Sequence, residues 1–107
     1  MIQIDGTYIR ITKGDTLRIL LELERNGHKF EPQDGDVIRF AMKRHKNDSE
    51  CVIIKEIGKD LLLELSAEET EQLELAKYIY DIQITYADGS VDTFIAESTF
   101  QVTYEVE

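Results

Sequence analysis

The stretch YIYDIQITYADGS, residues 78–90, alternates apolar and polar side chains and ends in a turn signal. A period of two is typical of a β-strand with one buried face. The apolar face comprises Tyr80, Ile82, Ile84 and Tyr86. Asp88-Gly89 follows directly, and this dipeptide accepts the positive φ that hairpin turns require. The stretch therefore predicts a strand that leads into a β-hairpin.

Asp81 stands in the middle of this strand, where a carboxylate raises the question of catalysis or metal binding. It shares its face with Gln83 and Thr85, so it points away from the core if Tyr80 and Ile82 are buried. A catalytic carboxylate needs a second titratable group to tune its pKa, and the sequence places no companion beside it. We interpret Asp81 as part of the polar face.

The same alternation recurs along the rest of the chain and predicts further short strands. Leu17, Ile19, Leu21 and Leu23 share one face, with turns at Gly27 and in EPQDGD (residues 31–36) beyond them. In the last strand, the pattern places Tyr104 in the core with Phe100, Val102 and Val106, and we expect Tyr80 in the core as well. The predicted strands cover Leu17–Glu24, Val37–Lys43, Cys51–Ile54, Leu61–Leu65, Val91–Ala96 and Phe100–Val106.

One segment departs from the period of two. SAEETEQLELAK begins with Ser66, and Glu69 follows three residues later, which is the pattern of a capping box. We predict one short helix over about Ser66–Leu73 that crosses between strands. Because the chain has no βαβ alternation, repeat or linker, we predict a single all-β domain over 1–107. Its architecture is an antiparallel Ig-like β-sandwich with one short crossover helix.

Composition narrows the classes of function. The 107 residues carry 12 basic and 22 acidic side chains, a net charge of −10, which disfavours nucleic acid and anionic lipid as partners. No apolar run approaches the ~20 residues of a membrane helix, and the start MIQID lacks a signal-peptide pattern. Cys51 is the single cysteine, so no internal disulfide forms. We expect a soluble protein assembled in a reducing cytosol, with no membrane association.

The sequence contains no recognisable catalytic or metal-binding motif. Asp34-Gly35-Asp36 and Asp88 fit turns, because the sequence after residue 36 supplies strand residues in place of further calcium ligands. His28 and His45 stand apart in polar loops, and Cys51 lies among apolar neighbours. We predict no enzyme, with no catalytic, cofactor-binding or metal-binding residue, and no cofactor.

The order of the segments resembles a small β-sandwich domain of phages and prophages of Gram-positive bacteria, similar to the N-terminal domain of upper baseplate proteins. The resemblance rests on ITKGDTLRILLEL (11–23), GDVIRFAMKR (35–44), LLLELSAEETEQLELAKYIYDIQITYADGSVDTF (61–94) and STFQVTYEV (98–106). It implies a non-catalytic structural component of a phage tail or baseplate that docks to other virion proteins. Such a protein would be located in the bacterial cytoplasm during assembly and then in the virion tail. Since the sequence ends at Glu107, where family members often continue, we expect a stand-alone tail, baseplate or neck-associated component.

Two other functions belong to different classes. An acidic inhibitor or immunity protein would cover a cationic partner with clustered acids, and a small-ligand or carbohydrate-binding module would expose an aromatic platform. The last strand, FQVTYEV (100–106), contains neither proline nor lysine, so as a sheet edge it would be weakly protected. We expect it either to support homo-oligomers or ring docking, or to be internal in a monomer that meets a different virion protein.

Overall fold

The computed structural model describes residues 2–104, with side chains described from residue 6 onward. The chain is mainly β-structure with one short helix. The elements are β1 Ile2–Asp5, β2 Tyr8–Thr12, β3 Leu17–Leu20, β4 Glu24–Arg25, β5 His28–Lys29, β6 Val37–Lys43, β7 Ile53–Ile57, β8 Leu62–Leu65, α1 Ala67–Glu71, β9 Lys77–Thr85 and β10 Val91–Thr103. The predicted all-β class with one short helix is confirmed.

Six strands form the main sheet, in the order β1-β2-β10-β9-β6-β7. β9 lies near its centre, between β10 and β6, and its alternate side chains Tyr78, Tyr80, Ile82 and Ile84 are buried. The hairpin that joins β9 to β10 turns at Asp88-Gly89, with Gly89 at φ +90°. Residues 78–85 therefore belong to a central strand, and the predicted strand with its following hairpin is present.

A second, smaller layer covers the inner face of this sheet. β3 and β8 pair antiparallel, with Leu17 opposite Leu65 and Ile19 opposite Leu63. Leu17, Leu63 and Leu65 join the buried side chains of β2, β6, β9 and β10 in one hydrophobic cluster. This arrangement of two layers around one core agrees with a sandwich-like fold.

The helix α1 joins β8 to β9. The Ser66 hydroxyl accepts from the Glu69 amide at 3.1 Å, and the Glu69 carboxylate accepts from the Ser66 amide at 3.0 Å. The predicted capping box is thus present, although the helix ends at Glu71 rather than near Leu73. Inside it, the buried Thr70 hydroxyl donates to the Asp15 carbonyl at 2.7 Å, which fixes α1 to the loop before β3.

The last strand differs from its prediction in two respects, its length and the direction of one of its pairings. β10 is one strand of 13 residues with register shifts between Thr93 and Ile95 and between Ile95 and Ser98. Its second half is internal, because Phe100–Thr103 pairs with β2 on one side while β9 lies on the other. The pairing with β2 is parallel, so the main sheet is mixed rather than wholly antiparallel. Of the two alternatives left open by the sequence, a sheet edge or an internal strand, the structure shows the internal one for Phe100–Thr103.

Tyr104 also corrects the sequence analysis. Its side chain is 66% exposed, whereas Phe100 and Val102 are buried. The ladder with β2 ends at Thr103, so Tyr104 has no neighbouring strand to bury it. Glu105 and Val106, the other residues of that predicted strand, lie outside the described residues.

Two other strand boundaries move. β3 ends at Leu20, and Leu21 is only half-buried in the segment that follows. The strand predicted over Cys51–Ile54 begins two residues later, as β7 from Ile53.

Candidate docking edge and groove

β7 forms one end of the main sheet. It pairs with β6 in an uninterrupted register from Ile38 opposite Ile57 to Met42 opposite Ile53. Within the described part of the chain, no strand pairs with its other side. Alternate backbone N–H and C=O groups of an edge strand point away from its partner and are available to a further strand.

The side chains of this edge are unusually apolar. Val52 is 48% exposed and Ile54 is 58% exposed, while Lys55 is half-buried. Natural edge strands are commonly protected by bulges, proline or outward lysines. β7 has a regular register, and its lysine takes part in an ion pair with α1. We refer to residues 52–57 as the β7 edge.

The first half of β10 is also a free edge, and it has the irregular register that protects an edge from strand addition. The first half of β10, from Val91 to Ala96, pairs with β9 but with no strand on its other side among residues 2–104. Both register shifts of β10 lie between residues 93 and 98, next to Glu97, whose φ is +30°. Bulges bend and twist an edge, so this edge is less suited to receive another strand.

A groove of about 530 Å³ runs beside the β7 edge. Leu73 and Tyr78, both buried, contribute apolar surface to its wall, together with Ile53 of β7. Its lining comprises Arg44, Val52, Ile53, Ile54, Lys55, Glu69, Gln72, Leu73, Glu74 and Tyr78. The groove thus brings together β7, the end of α1, the start of β9 and the residue after β6.

Glu69 and Lys55 form an ion pair in the wall of the groove. The Lys55 Nζ lies 2.7 Å from Glu69 Oε2. Partial burial acts to raise the pKa of Glu69, but hydrogen bonds from Lys55 and the Ser66 amide, with the charge of Lys55, bring that pKa below its ordinary value of 4.5. The Glu69 carboxylate is therefore ionised at neutral pH and forms the ion pair with Lys55.

Arg44 is the other cation of the groove. Its guanidinium donates to the Lys77 carbonyl at 2.7 Å and lies 5.6 Å from the ring centroid of Tyr78. The Tyr78 hydroxyl in turn accepts from the Glu74 amide at 2.8 Å. These contacts hold Arg44 in place, and no carboxylate of the described residues forms an ion pair with it.

Asp81 lies on the outer face of β9, opposite Ala41 of β6, and is half-buried. This agrees with its interpretation as part of the polar face. It borders a second depression of about 280 Å³, together with Cys51, Lys46 and Glu97. Lys46 and Glu97 pair with each other at 3.3 Å. Neither histidine lines this depression, so the structure does not bring an imidazole to Cys51 and Asp81.

The turn aspartates have local partners. Asp34 pairs with Lys59, and the Asp36 carboxylate accepts from the Gln33 amide at 2.9 Å. The Asp88 carboxylate accepts from the Ser90 hydroxyl at 2.6 Å and from its amide at 2.9 Å, and these bonds lower the pKa of Asp88. Each of these carboxylates thus serves a turn or a surface ion pair.

Among residues 2–104, no group of three or more His, Cys, Asp or Glu residues is arranged to hold a metal ion. The same range contains no helix of the length and apolarity needed to cross a membrane.

The β7 edge and its groove were not predicted from the sequence. The one local signal is CVII (51–54), four successive apolar residues without alternation, which leaves an apolar side chain on each face of a strand. Arg44, Glu69 and Tyr78 are far apart in the sequence, so only the fold brings them to the same groove.

Comparison with known proteins does not assign the chain to a family. No protein-family model matches the chain, and a search of curated proteins finds no significant match.

Proposed function

We propose that this chain is a non-catalytic structural component of a phage or prophage tail or baseplate and that it docks to other virion proteins through the β7 edge. The observation that carries the docking role is the regular, unpaired edge with exposed Val52 and Ile54 beside a groove. The tail assignment rests on the sequence resemblance. A sheet edge of this kind is a common route to strand addition between proteins.

The charge of the chain supports a partner other than itself. Each copy carries −10, so two copies repel at low salt, whereas a neutral or basic partner meets no such barrier. The partners we propose are other virion proteins, with neither nucleic acid nor membrane among them.

The two alternative functions receive less support. Tyr78 and Tyr80 are buried, so they cannot form part of an exposed aromatic platform for a carbohydrate. Several acidic side chains already have partners, since Glu64 pairs with Arg18, Glu69 with Lys55 and Glu97 with Lys46. An inhibitor that acts through acids would need them free on one face.

The test is made on phage particles from a lysogen that carries this gene within an inducible prophage. We expect mass spectrometry to find the chain in purified particles, and we expect a deletion of the gene to give particles with incomplete tails. Infectious particles of normal morphology that lack the chain would contradict the proposal.

A further inference from the structure

We propose that the occupant of the groove is an extended segment of a partner protein that adds to β7 as a further strand and places a carboxylate on Arg44. This inference rests on the proposed function, because it specifies the kind of segment that the docking edge binds. It is argued from the backbone, the apolar wall and the charges of the groove in turn.

The backbone determines the conformation of the occupant. β7 presents five residues in regular register, and an added strand of similar length would satisfy its outward N–H and C=O groups. A helix would leave those groups unpaired. The occupant is therefore extended.

The apolar wall determines the pattern of side chains. An added strand directs alternate side chains to opposite faces, so every second residue faces the groove. There it meets Leu73 and Tyr78, together with Ile53, which is the apolar β7 side chain on that face. Apolar side chains at alternate positions fit this surface.

The charges determine the polar contact. Lys55 is already paired with Glu69, so its charge is compensated. Arg44 is held by the Lys77 carbonyl and the Tyr78 ring, and within residues 2–104 no carboxylate forms an ion pair with it. A guanidinium fixed in this way is ready to form a charge-assisted hydrogen bond with a carboxylate. The carboxylate can belong to an Asp or Glu side chain or to the end of a chain.

A second copy of this chain is a less suitable occupant. Its net charge of −10 opposes close approach of two copies, whereas a segment of a neutral or basic protein delivers one carboxylate without that repulsion.

The test begins with a random twelve-residue peptide library selected against the whole chain. We expect the enriched peptides to alternate apolar residues and to carry a carboxylate. Fluorescence polarisation with one such peptide then compares Arg44→Gln with Arg39→Gln, which removes an equal charge from an exposed position of β6. We expect Arg44→Gln to weaken binding roughly tenfold or more and Arg39→Gln to leave it nearly unchanged. Peptides with a free and an amidated C-terminus distinguish the two sources of the carboxylate.

Hydrogen exchange supplies the second measurement. Bound peptide should slow exchange of amides in residues 52–57 and leave residues 91–96 of β10 unaffected. Several results would overturn the inference: no enriched peptide, equal binding by both arginine variants, protection away from β7, or dimers that Ile54→Lys disrupts. If the chain is nevertheless found in phage tails, its role as a tail component stands and this inference fails.

Discussion

Lys55 Nζ lies 2.7 Å from Glu69 Oε2, and this ion pair joins the edge strand β7 to the first turn of α1. The same carboxylate group closes the capping box through the Ser66 amide. One side chain therefore stabilises the helix start and fixes the distance between two walls of the groove.

Glu69→Gln should destabilise the protein in a pH-dependent way. Glutamine retains the acceptor of the capping box but loses the charge, so we expect a loss of about 0.5 kcal/mol at neutral pH. Because the folded-state pKa of Glu69 is lowered, its contribution is complete above the ordinary value of 4.5 and is lost as the pH falls below it. Urea unfolding at pH 7 and at lower pH should show the two proteins converge. Glu68→Gln, which alters the same turn, is the control; an equal pH dependence there would contradict this role.

Ile82→Ala should be among the most damaging substitutions. Ile82 is 1% exposed at the centre of the main sheet, so truncation leaves a cavity and costs about 2–5 kcal/mol. Ile54→Ala on the β7 edge removes the same atoms from a side chain that is 58% exposed, and we expect less than about 1 kcal/mol. Thermal denaturation of both variants makes the comparison. Similar losses would mean that the two faces of the sheet are assigned incorrectly.

Gly35→Ala should cost more than Gly89→Ala. Both glycines have φ +90°, so alanine meets the same backbone strain at each. At Gly35 the added Cβ would lie 2.8 Å from the Cβ of Ala87, whereas at Gly89 nothing lies within 4 Å. We expect about 1–2 kcal/mol at Gly89 and a larger loss at Gly35, measured by chemical unfolding. Equal losses of stability would indicate that the turn at Gly35 can shift away from Ala87 without a cost in free energy.

Calcium should leave the protein unchanged. Asp34, Asp36 and Asp88 have Lys59, Gln33 and Ser90 as their partners. Asp81 lies apart from these turns, in the middle of strand β9. Millimolar calcium should shift the melting temperature no more than an equal ionic strength of sodium chloride. A saturable shift specific to calcium would show a metal site in this chain.

The strands were predictable where alternation decides which face is buried. Tyr80, Ile82 and Ile84 follow a period of two, and the structure buries all three. Alternation shows which side chains of a strand share a face, but it does not show which strands pair with each other. It therefore did not reveal that β2 pairs in parallel with the second half of β10 and makes that half internal. Tyr104 shows the same limit. It follows the alternation of the buried Phe100 and Val102, but the pairing of β10 with β2 ends one residue earlier, at Thr103.

The candidate site was less predictable than the fold. The capping box of Ser66 and Glu69 is local and was identified from the sequence. The pairing of Glu69 with Lys55 and the position of Arg44 over Tyr78 depend on tertiary packing between segments that the sequence separates. The Asp-Gly turns, in contrast, depend only on neighbouring residues and were identified correctly.

Docking through the β7 edge can be tested by complementing the gene deletion with Ile54→Lys and, as a matched control, Val91→Lys. These side chains are 58% and 55% exposed and lie on two different free edges of the main sheet, β7 and the first half of β10. A lysine on an edge strand opposes strand addition, so its effect depends on which edge is used. Circular dichroism and thermal melting first establish that both variants are folded. The measurement is the amount of each variant in purified particles. We expect Ile54→Lys to be lost from the particles and Val91→Lys to be retained; equal incorporation of both variants would contradict docking through β7.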